Sequence, residues 1–332
     1  INAKGLKFGL WIEPEMTNKD SDLYRAHPDW LLAEQGKRIC HSRTQYVLDF
    51  SKKEVREYIG DMLENLLAEV PVSYIKWDMN RTFSEVFSNG NDREYQGKVC
   101  HKYILGVYEL YERLTSRFPH VLFESCASGG ARFDPGMLYY APQGWTSDDT
   151  DAIERLKIQY GTSMVYPVSC MGSHVSASPN HQTNRVTPLE TRADVAYFGT
   201  FGYELDLSKM TDEEKKMAGE QIAFFKEHGR LFQFGDYYRL TSPFENRDYT
   251  VWEYAAQDGS EACMSVVYTD MYANAASEIV KWKGLDPKKV YQMQLDGEDA
   301  GNFSGAALMH AGILLPLPEQ NYDAFQIYLK AE

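Results

Sequence analysis

Two groups of acidic residues in this sequence follow apolar runs, where a chain often changes from a buried strand to a loop. Asp78 lies near the end of the run YIKWDMNR, two residues after Lys76, and Asp148 and Asp149 close the run GWTSDD. Residues i and i+2 of a strand point to the same face, so we expect Lys76 and Asp78 to project together. Such a pair is typical either of a structural ion pair or of an active site.

Two carboxyl groups in different surroundings could share the work of breaking a glycosidic bond. Lys76 would favour the anion of Asp78 and lower its pKa, which suits a nucleophile. The adjacent charges of Asp148 and Asp149 discourage full ionisation, which suits a general acid that keeps a proton. The ordinary structural explanation stays open at this point: Lys76 and Asp78 form a plain ion pair, and the second acidic group caps a helix.

A divalent metal site is the competing use of these carboxylates. The predicted strand ends offer no clear additional ligands, and Lys76 already supplies compensating charge beside Asp78. A metal-dependent phosphoryl-transfer enzyme using Asp78 is a further alternative, but Asp78 begins the run DMN and not the DxD nucleophile motif usual in such enzymes. The HExxH, GxSxG and P-loop patterns are also absent. We therefore expect neither a metal nor a cofactor.

The carboxyl groups need strands that end at one edge of a sheet. Apolar runs of strand length occur at 6–14, 72–79, 120–128, 142–149, 163–169 and 195–205. They alternate with helical patterns up to about residue 235, which predicts parallel strands joined by helices. Polar residues follow these runs, as they do in a (β/α)8 barrel, whose active site forms at the C-terminal ends of its strands. A doubly wound sheet would show the same alternation.

Capping patterns predict where several helices begin and end. Capping boxes at 51–54 and 211–214 predict helices that run to about residue 68 and to His228, with Gly229 in the terminating position. Asp151 is expected to cap a helix that starts at about residue 152.

The pattern changes after Phe234, where short alternating runs are separated by turn residues. We therefore predict an α/β chain with two domains. Residues 1–236 would form a (β/α)8 TIM-type barrel, and residues 237–332 would form a small antiparallel β-sandwich.

Charge and cysteine content restrict the partners and the compartment. The net charge of −14 opposes binding to nucleic acid or to an anionic membrane, and no apolar run approaches the ~20 residues that span a bilayer. The five cysteines are widely spread and include no CxxC pair, which favours reduced thiols in a cytoplasmic protein.

Four segments of the sequence together resemble glycoside hydrolase family 36, the α-galactosidases of bacterial type. They are KFGLWIEPEM, YIKWDMNR, ESCASGGARFDPGML and WTSDDTDAIERLKIQYG, and the similarity continues through SHVSASPNHQTNR and FGTFGYELDL to about residue 240. The run FGDYYRLTSPFE resembles the start of the C-terminal β domain of that family.

The resemblance implies a role for individual residues. Asp78 matches the nucleophile and Asp148 the general acid/base, with Asp149 the weaker candidate because similar enzymes often carry Asn there. The expected substrate-binding residues are Arg43, Lys76, Trp77, Asn80, Cys126, Gly129, Trp145 and Trp11. No metal is expected among them.

The resemblance also implies a reaction: retaining hydrolysis of terminal α-D-galactosyl residues from oligosaccharides such as melibiose and raffinose. The alternatives are an α-N-acetylgalactosaminidase, a galactosyltransferase similar to raffinose synthase, or a carbohydrate-binding fragment without turnover. Because the first apolar run resembles the third barrel strand, the resemblance implies that the catalytic barrel of residues 1–236 lacks its first strands. The chain is therefore expected to be a fragment with little activity alone. Family members are often tetramers, so the resemblance implies a homo-oligomer for the complete protein.

Overall fold

The computed structural model describes residues 1–40 and 42–332, which divide into two compact units, 1–148 and 149–332. The elements of the first unit, in chain order, are β1 Phe8–Ile12, β2 Met16–Asn18, α1 Asp22–Ala26, β3 Gln45–Val47, α2 Lys53–Glu69, β4 Val72–Trp77, α3 Arg93–Gln96, α4 Val99–Arg117, β5 Leu122–Ser125, α5 Pro135–Tyr140 and β6 Gln143–Trp145. Short 3-10 turns lie at Asn2–Lys4 and Pro28–Trp30.

Four strands of the first unit form a parallel sheet in the order β1, β4, β5, β6. Lys76 of β4 lies opposite Glu124 of β5, and Ser125 lies opposite Gly144 of β6. Since the strands run in the same direction, the loops that follow them meet at one edge of the sheet. Strands β2 and β3 form a separate antiparallel pair in the long connection between β1 and α2.

Helices α2 and α4 cover the sheet with apolar side chains at helical spacing. Val55, Ile59 and Leu63 of α2, and Tyr103 and Val107 of α4, are all buried. Burying apolar area stabilises such packing by roughly 25 cal/mol per Å². The helices thereby hold the strands, and so the loops at the strand ends, in fixed positions.

The second unit contains helices, parallel strands and antiparallel strands. Its elements are α6 Ala152–Ser163, β7 Met171–Ser176, α7 Leu189–Ala196, β8 Thr200–Glu204, α8 Asp212–Phe234, β9 Asp236–Arg239, β10 Tyr249–Ala255, β11 Glu261–Tyr268, β12 Ile279–Val280, β13 Val290–Leu295, β14 Glu298–Ser304, α9 Gly305–His310, β15 Ile313–Leu314 and β16 Ala324–Ala331. Short 3-10 turns lie at Val168–Cys170 and Leu207–Lys209.

Strands β7 and β8 are parallel, whereas the later strands form an antiparallel sheet in the order β14, β13, β16, β11, β10, β9. A short antiparallel pair, β12 and β15, adds a second layer. Buried residues from both layers, among them Val251, Trp282 and Leu329, form one apolar core. The predictions of parallel strands followed by an antiparallel β region are confirmed.

Some predicted boundaries are wrong for identifiable reasons. Helix α2 begins at Lys53 without a side-chain cap, because the Ser51 hydroxyl donates to Asp49 instead. Helix α8 starts at Thr211 with the expected capping box but continues past Gly229 to Phe234, since nothing in an isolated glycine forces a helix to end. The run at 163–169 is not a strand, and β7 begins at Met171.

The domain boundary at residue 236 stays a prediction, and the compact units of the structure are residues 1–148 and 149–332. Among the described residues, no helix combines the length and apolar character that crossing a membrane requires.

Candidate active site

Asp78 is the first residue after β4, and its carboxyl group is surrounded by hydrogen-bond donors. Its backbone N–H donates to the carbonyl of Ile12 at 2.9 Å, and only 6% of the residue is exposed. Oδ2 accepts from Trp11 Nε1 at 3.1 Å and from Asn80 Nδ2 at 2.7 Å, and Oδ1 accepts from the Met79 N–H at 2.8 Å. The carboxylate is therefore fixed in position at the edge of the sheet.

The pKa of Asp78 results from two opposing effects. Burial raises it, but hydrogen bonds from Cys126, Asn80, Trp11 and the Met79 N–H together lower it below its usual value. Donors to a carboxylate favour its charged form. Asp78 is therefore an anion at neutral pH, which agrees with the requirement for a nucleophile.

Lys76 is not the main cause of this lowered pKa, so that part of the sequence interpretation is wrong. The Lys76 ammonium lies 3.3 Å from Glu124 Oε1 and 4.4 Å from the centroid of the Trp145 ring. Strand β4 ends at Trp77, and Asp78 is thus outside the regular strand. The charges of Lys76 and Asp78 both act on the Cys126 thiol, as expected for side chains that project together, but the ion pair of Lys76 is with Glu124.

Glu124 is a buried carboxylate that holds Lys76 in place. It accepts hydrogen bonds from the Tyr74 hydroxyl and from Gln143 Nε2, the latter at 3.0 Å. Burial and the nearby Glu124 charge raise the pKa of Tyr74, so the phenol keeps its proton and remains a donor. Tyr74, Glu124 and Gln143 come from the adjacent strands β4, β5 and β6. Their hydrogen bonds fix the Glu124 carboxylate, which in turn holds the Lys76 ammonium beside Trp145.

Asn80 connects Asp78 to a second carboxylate, Glu13, which follows β1. The same Asn80 Nδ2 that bonds Asp78 also donates to Glu13 Oε1. Arg43 Nη1 lies 3.2 Å from Glu13 Oε1, and Gln45 Nε2 donates to Oε2 at 3.0 Å. The structure therefore brings Arg43, predicted to bind sugar, to the same sheet edge as Asp78.

Asp148 lies in the loop after β6 and is exposed, in contrast to Asp78. Its Oδ1 accepts a hydrogen bond from Trp145 Nε1 at 3.2 Å, which links it to the ring that Lys76 contacts. The backbone of this loop packs tightly on Gly129, where an added Cβ would lie 2.7 Å from Ser147 Cα and 2.9 Å from the Asp148 nitrogen. Gly129 therefore serves a close backbone approach.

The glycine-rich loop after β5 is anchored from beneath. Arg132 forms two hydrogen bonds to the fully buried Glu15, at 3.0 and 2.8 Å. At the other end of the loop, the Ser128 hydroxyl donates to Asn80 Oδ1 at 3.2 Å. A buried ion pair with two hydrogen bonds resists displacement, since breaking it would leave a charge without compensation.

Cys126 and Trp11 both contact the Asp78 carboxylate. Cys126 is buried at the end of β5, and burial together with Asp78 raises the pKa of its thiol, which therefore stays protonated. Trp11 is 50% exposed, so its ring surface is accessible although its N–H is bonded to Asp78. An accessible ring beside a carboxylate can stack on the apolar face of a sugar.

Trp77 does not reach this group, contrary to its place among the predicted substrate-binding residues. It is 0% exposed, its Nε1 donates to Glu15 at 2.8 Å, and its ring centroid lies 4.5 Å from that of Tyr111 in α4. Neighbouring strand residues alternate between faces, so Trp77 packs against the helices while Lys76 points to the opposite side.

Asp149 and Asp151 belong to the second unit, where Asp151 has a structural role. Its Oδ1 accepts from the N–H groups of Ile153 and Glu154 at the start of α6, and Arg185 bonds the same carboxylate at 2.5 Å. The predicted helix cap is thus confirmed. Asp149 accepts the Asp151 N–H at 3.1 Å.

Several residues of the first unit that organise this edge were missed as site residues. Glu13 and Glu124 are among the polar residues at the ends of the predicted strands, and no local pattern distinguishes Arg132 or Glu15 as a site residue. A buried ion pair between residues 117 positions apart cannot be read from local sequence patterns. Among residues 1–40 and 42–332, no cluster of three or more His, Cys, Asp or Glu side chains is arranged to hold a metal ion.

Two family models match consecutive parts of the chain. The melibiase model matches residues 1–235, and the model of the glycosyl hydrolase family 36 C-terminal domain matches residues 249–329. The class of protein is thereby defined as a glycoside hydrolase. More particularly, the chain belongs to glycoside hydrolase family 36.

Characterised relatives are similar over the whole chain. α-Galactosidase AgaA of Geobacillus stearothermophilus is 49% identical over 331 residues, which are 100% of this chain and 45% of that protein. The bifunctional α-galactosidase/sucrose kinase AgaSK of Mediterraneibacter gnavus is 49% identical over 98% of this chain and 34% of that protein. The chain thus spans less than half the length of these relatives.

Solved structures share the fold. The crystal structure of AgaA matches with a TM-score of 0.96 at 49% identity, and that of the α-galactosidase from Lactobacillus brevis matches with 0.95 at 45% identity. Each comparison covers 100% of this chain and 45% of the other. The fold is accordingly α/β, a partial TIM-type barrel followed in the chain by an antiparallel β region.

Proposed function

We propose that this chain carries the catalytic carboxylates of a retaining α-galactosidase. The observation that carries the proposal is the Asp78 carboxylate, buried at the C-terminal edge of a parallel sheet and kept ionised by four donors. Its substrates would be oligosaccharides with terminal α-D-galactosyl residues. Structures of the relative AgaA with raffinose and with stachyose support this substrate class.

A feature of those two complexes supports the assignment of both carboxylates. One AgaA variant carries an aspartate-to-asparagine substitution and the other an aspartate-to-alanine substitution. The two substituted aspartates lie 70 positions apart in AgaA, which equals the separation between Asp78 and Asp148 in this chain. Asp149 would not preserve that separation.

The proposed reaction is a double displacement. A carboxylate oxygen of Asp78 attacks the anomeric carbon while Asp148 protonates the glycosidic oxygen, so the C–O bond breaks and a covalent galactosyl-enzyme forms. Asp148, now ionised, takes a proton from water as the water oxygen attacks the same carbon and Asp78 departs. Two inversions give net retention, and the two carboxyl groups must then lie ~5–5.5 Å apart when sugar is bound.

The other residues at this edge would bind and orient the sugar. Lys76 and Asn80 supply donors beside Asp78, and Trp11 supplies an accessible ring. Arg43 and Trp145 would complete the pocket on either side, with Cys126 and Gly129 forming its wall. An exposed Asp148 suits exchange of protons with a leaving group and with water.

Azide rescue of two variants of the complete protein tests the proposal. With p-nitrophenyl α-galactoside, Asp78→Ala should lose turnover and then form β-galactosyl azide, because azide replaces the missing nucleophile. Asp148→Ala should form α-galactosyl azide, because azide attacks the galactosyl-enzyme. If Asp78→Ala gave the α-azide and Asp148→Ala the β-azide, the nucleophile and acid/base roles would be exchanged. If neither variant formed an azide product, the mechanism would be contradicted.

The closest competing activity is hydrolysis of α-N-acetylgalactosaminides. A comparison of p-nitrophenyl α-galactoside with its N-acetyl analogue distinguishes the two, and we expect the N-acetyl compound to be the poorer substrate. Location in the cytoplasm and assembly into a homo-oligomer belong to the same proposal and rest on the family resemblance and on the reduced cysteines.

A further inference from the structure

A cavity of about 580 Å³ lies within the second unit and contains none of the residues of the candidate active site. Its volume is within the range of small-molecule sites in proteins, roughly 300–1,000 Å³. Helices α7 and α8 form one wall, and strand β16 with the turn between β13 and β14 forms the other.

The cavity lining is rich in acid. Five carboxyl groups line it: Glu190, Asp194, Glu220, Glu227 and Asp296. Among the described residues, Lys330 is the single Lys or Arg in the lining. The ring of His228, also in the lining, is bonded to Glu261 at 2.9 Å. The lining therefore carries a marked excess of negative charge.

Asp194 is the most unusual of these groups. It is only 7% exposed, and its Oδ1 accepts one long hydrogen bond, from Gln326 Nε2 at 3.3 Å. Its Oδ2 has no hydrogen-bond or ionic partner in the part of the chain that the structure describes. Because Asp194 lines the cavity, this oxygen can accept a hydrogen bond from a donor that enters it.

The neighbours of Asp194 make a charged donor preferable to a neutral one. Burial raises its pKa well above the usual range, and the charges of Asp296 and Glu190 raise it further. Without a cation beside it, the Asp194 carboxyl group is therefore neutralised by a proton. A bound cation would replace that proton and would also interact favourably with the two neighbouring acids.

Aromatic rings provide the apolar part of the same cavity. Tyr197, Phe224 and Tyr328 all line it, and Tyr328 and Phe224 both pack against the His228 ring. The Tyr328 hydroxyl is bonded to Glu261 at 2.8 Å, which fixes its ring. Aromatic faces attract alkylammonium groups and their methylene chains.

We propose that this cavity binds an organic amine, with the ammonium group on Asp194 and Asp296 and the methylene chain against Phe224 and Tyr328. The ammonium could come from a free diamine or from a lysine side chain of another protein. Both share the same chemistry, so the test uses cadaverine (1,5-diaminopentane) and Nα-acetyl-lysine methylamide as separate probes.

The test is isothermal titration calorimetry on the complete protein in phosphate buffer, because Tris is itself a primary amine. Cadaverine should bind at one saturable site per chain, while matched concentrations of NaCl and MgCl₂ give no comparable heat. Binding of cadaverine alone assigns a free diamine, and equal binding of the lysine analogue assigns a side chain.

Substitutions locate the site. Asp194→Asn keeps the side-chain volume but removes the charge, and should weaken cadaverine binding about tenfold or more. Asp299→Asn, at an exposed position on β14 outside the lining, removes the same charge and should leave binding unchanged. If Asp194→Asn fails to fold, Asp296→Asn takes its place. Cadaverine binding that is unaltered in Asp194→Asn, or in Asp296→Asn where that variant replaces it, would overturn the proposal. The absence of saturable amine binding, or galactose binding that Asp194→Asn abolishes, would overturn it as well.

Discussion

Asp78 and Asp194 are both buried aspartates, 6% and 7% exposed, yet their pKa values move in opposite directions. Burial raises both. Around Asp78 four donors more than offset this effect, whereas Asp194 accepts one long hydrogen bond and has two acids as neighbours. The number of donors aimed at a carboxylate, and not its burial, decides whether it carries charge.

The origin of the donors explains the difference. Those of Asp78 come from the ends of adjacent parallel strands and from the residues that follow them, where several parts of the chain converge. Asp194 lies on helix α7, whose backbone N–H groups are bonded within the helix and cannot donate to it. A strand edge thus supplies convergent donors that the middle of a helix does not.

The largest expected effect comes from removing each charge in turn. Asp78→Asn should lower kcat/KM on α-galactosides by on the order of 10⁴-fold or more, because the nucleophile is lost. Asp194→Asn should leave kcat/KM within about twofold, since a residue outside the reacting groups contributes no transition-state stabilisation. Steady-state kinetics of the complete protein measures both. A large loss in Asp194→Asn would mean that the two carboxyl groups are functionally linked.

A second variant tests how the other catalytic carboxylate is positioned. Gly129→Ala should lower kcat about 100-fold, because its Cβ would displace the Ser147–Asp148 backbone and misplace Asp148. Gly36→Ala is the matched control, since Gly36 has nearly the same positive φ, 77° against 79°, but no atom within 4 Å of the new Cβ. A Gly129→Ala variant with the same kcat as Gly36→Ala would contradict the role of this close approach in positioning Asp148.

A third variant weakens the hydrogen bonding of Asp78 without removing it. Trp11→Phe keeps a ring but removes the N–H donor, so the pKa of Asp78 should rise. Because Asp78 must be ionised to react, the acidic limb of the kcat/KM profile should move to higher pH. Trp282→Phe removes an indole N–H that has no partner in the described structure, and should not move that limb.

The smallest expected effect concerns stability at Asp194. A folded-state pKa raised above the unfolded value gives stability that is full below the unfolded pKa and is lost as pH rises toward the folded pKa. The free energy of unfolding of the wild type, measured with urea, should therefore decrease from pH 4 upward. Asp194→Asn should reduce this decline by about 1–3 kcal/mol, measured without amines in the buffer. An identical decline in both proteins would contradict the assignment of the buried charge.

Much of the fold was predictable because the signals are local. The apolar runs that became β1, β4, β5 and β6 are bounded by polar residues, and Thr211 and Asp151 cap their helices as expected. The failures are also local patterns, overridden by tertiary contacts. Ser51 looked like a helix cap, yet its hydroxyl bonds Asp49.

The site was predictable in its members more than in its contacts. Asp78, Asn80, Trp11 and Cys126 do meet, but this juxtaposition depends on three strands that no spacing rule relates. The sequence did not show that Lys76 forms an ion pair with Glu124 of the neighbouring strand, or that hydrogen-bond donors are what lower the pKa of Asp78. Contacts across strands follow from register, which the sequence alone does not display.

The central claim is that Asp78 is the nucleophile, held as an anion by its donors. Treatment of the complete protein with a mechanism-based fluorogalactosyl fluoride, followed by protease digestion and mass spectrometry, identifies the residue that becomes covalently labelled. We expect one fluorogalactosyl adduct, on the peptide that contains Asp78. An adduct on the peptide that contains Asp148, or inactivation without any adduct, would contradict it.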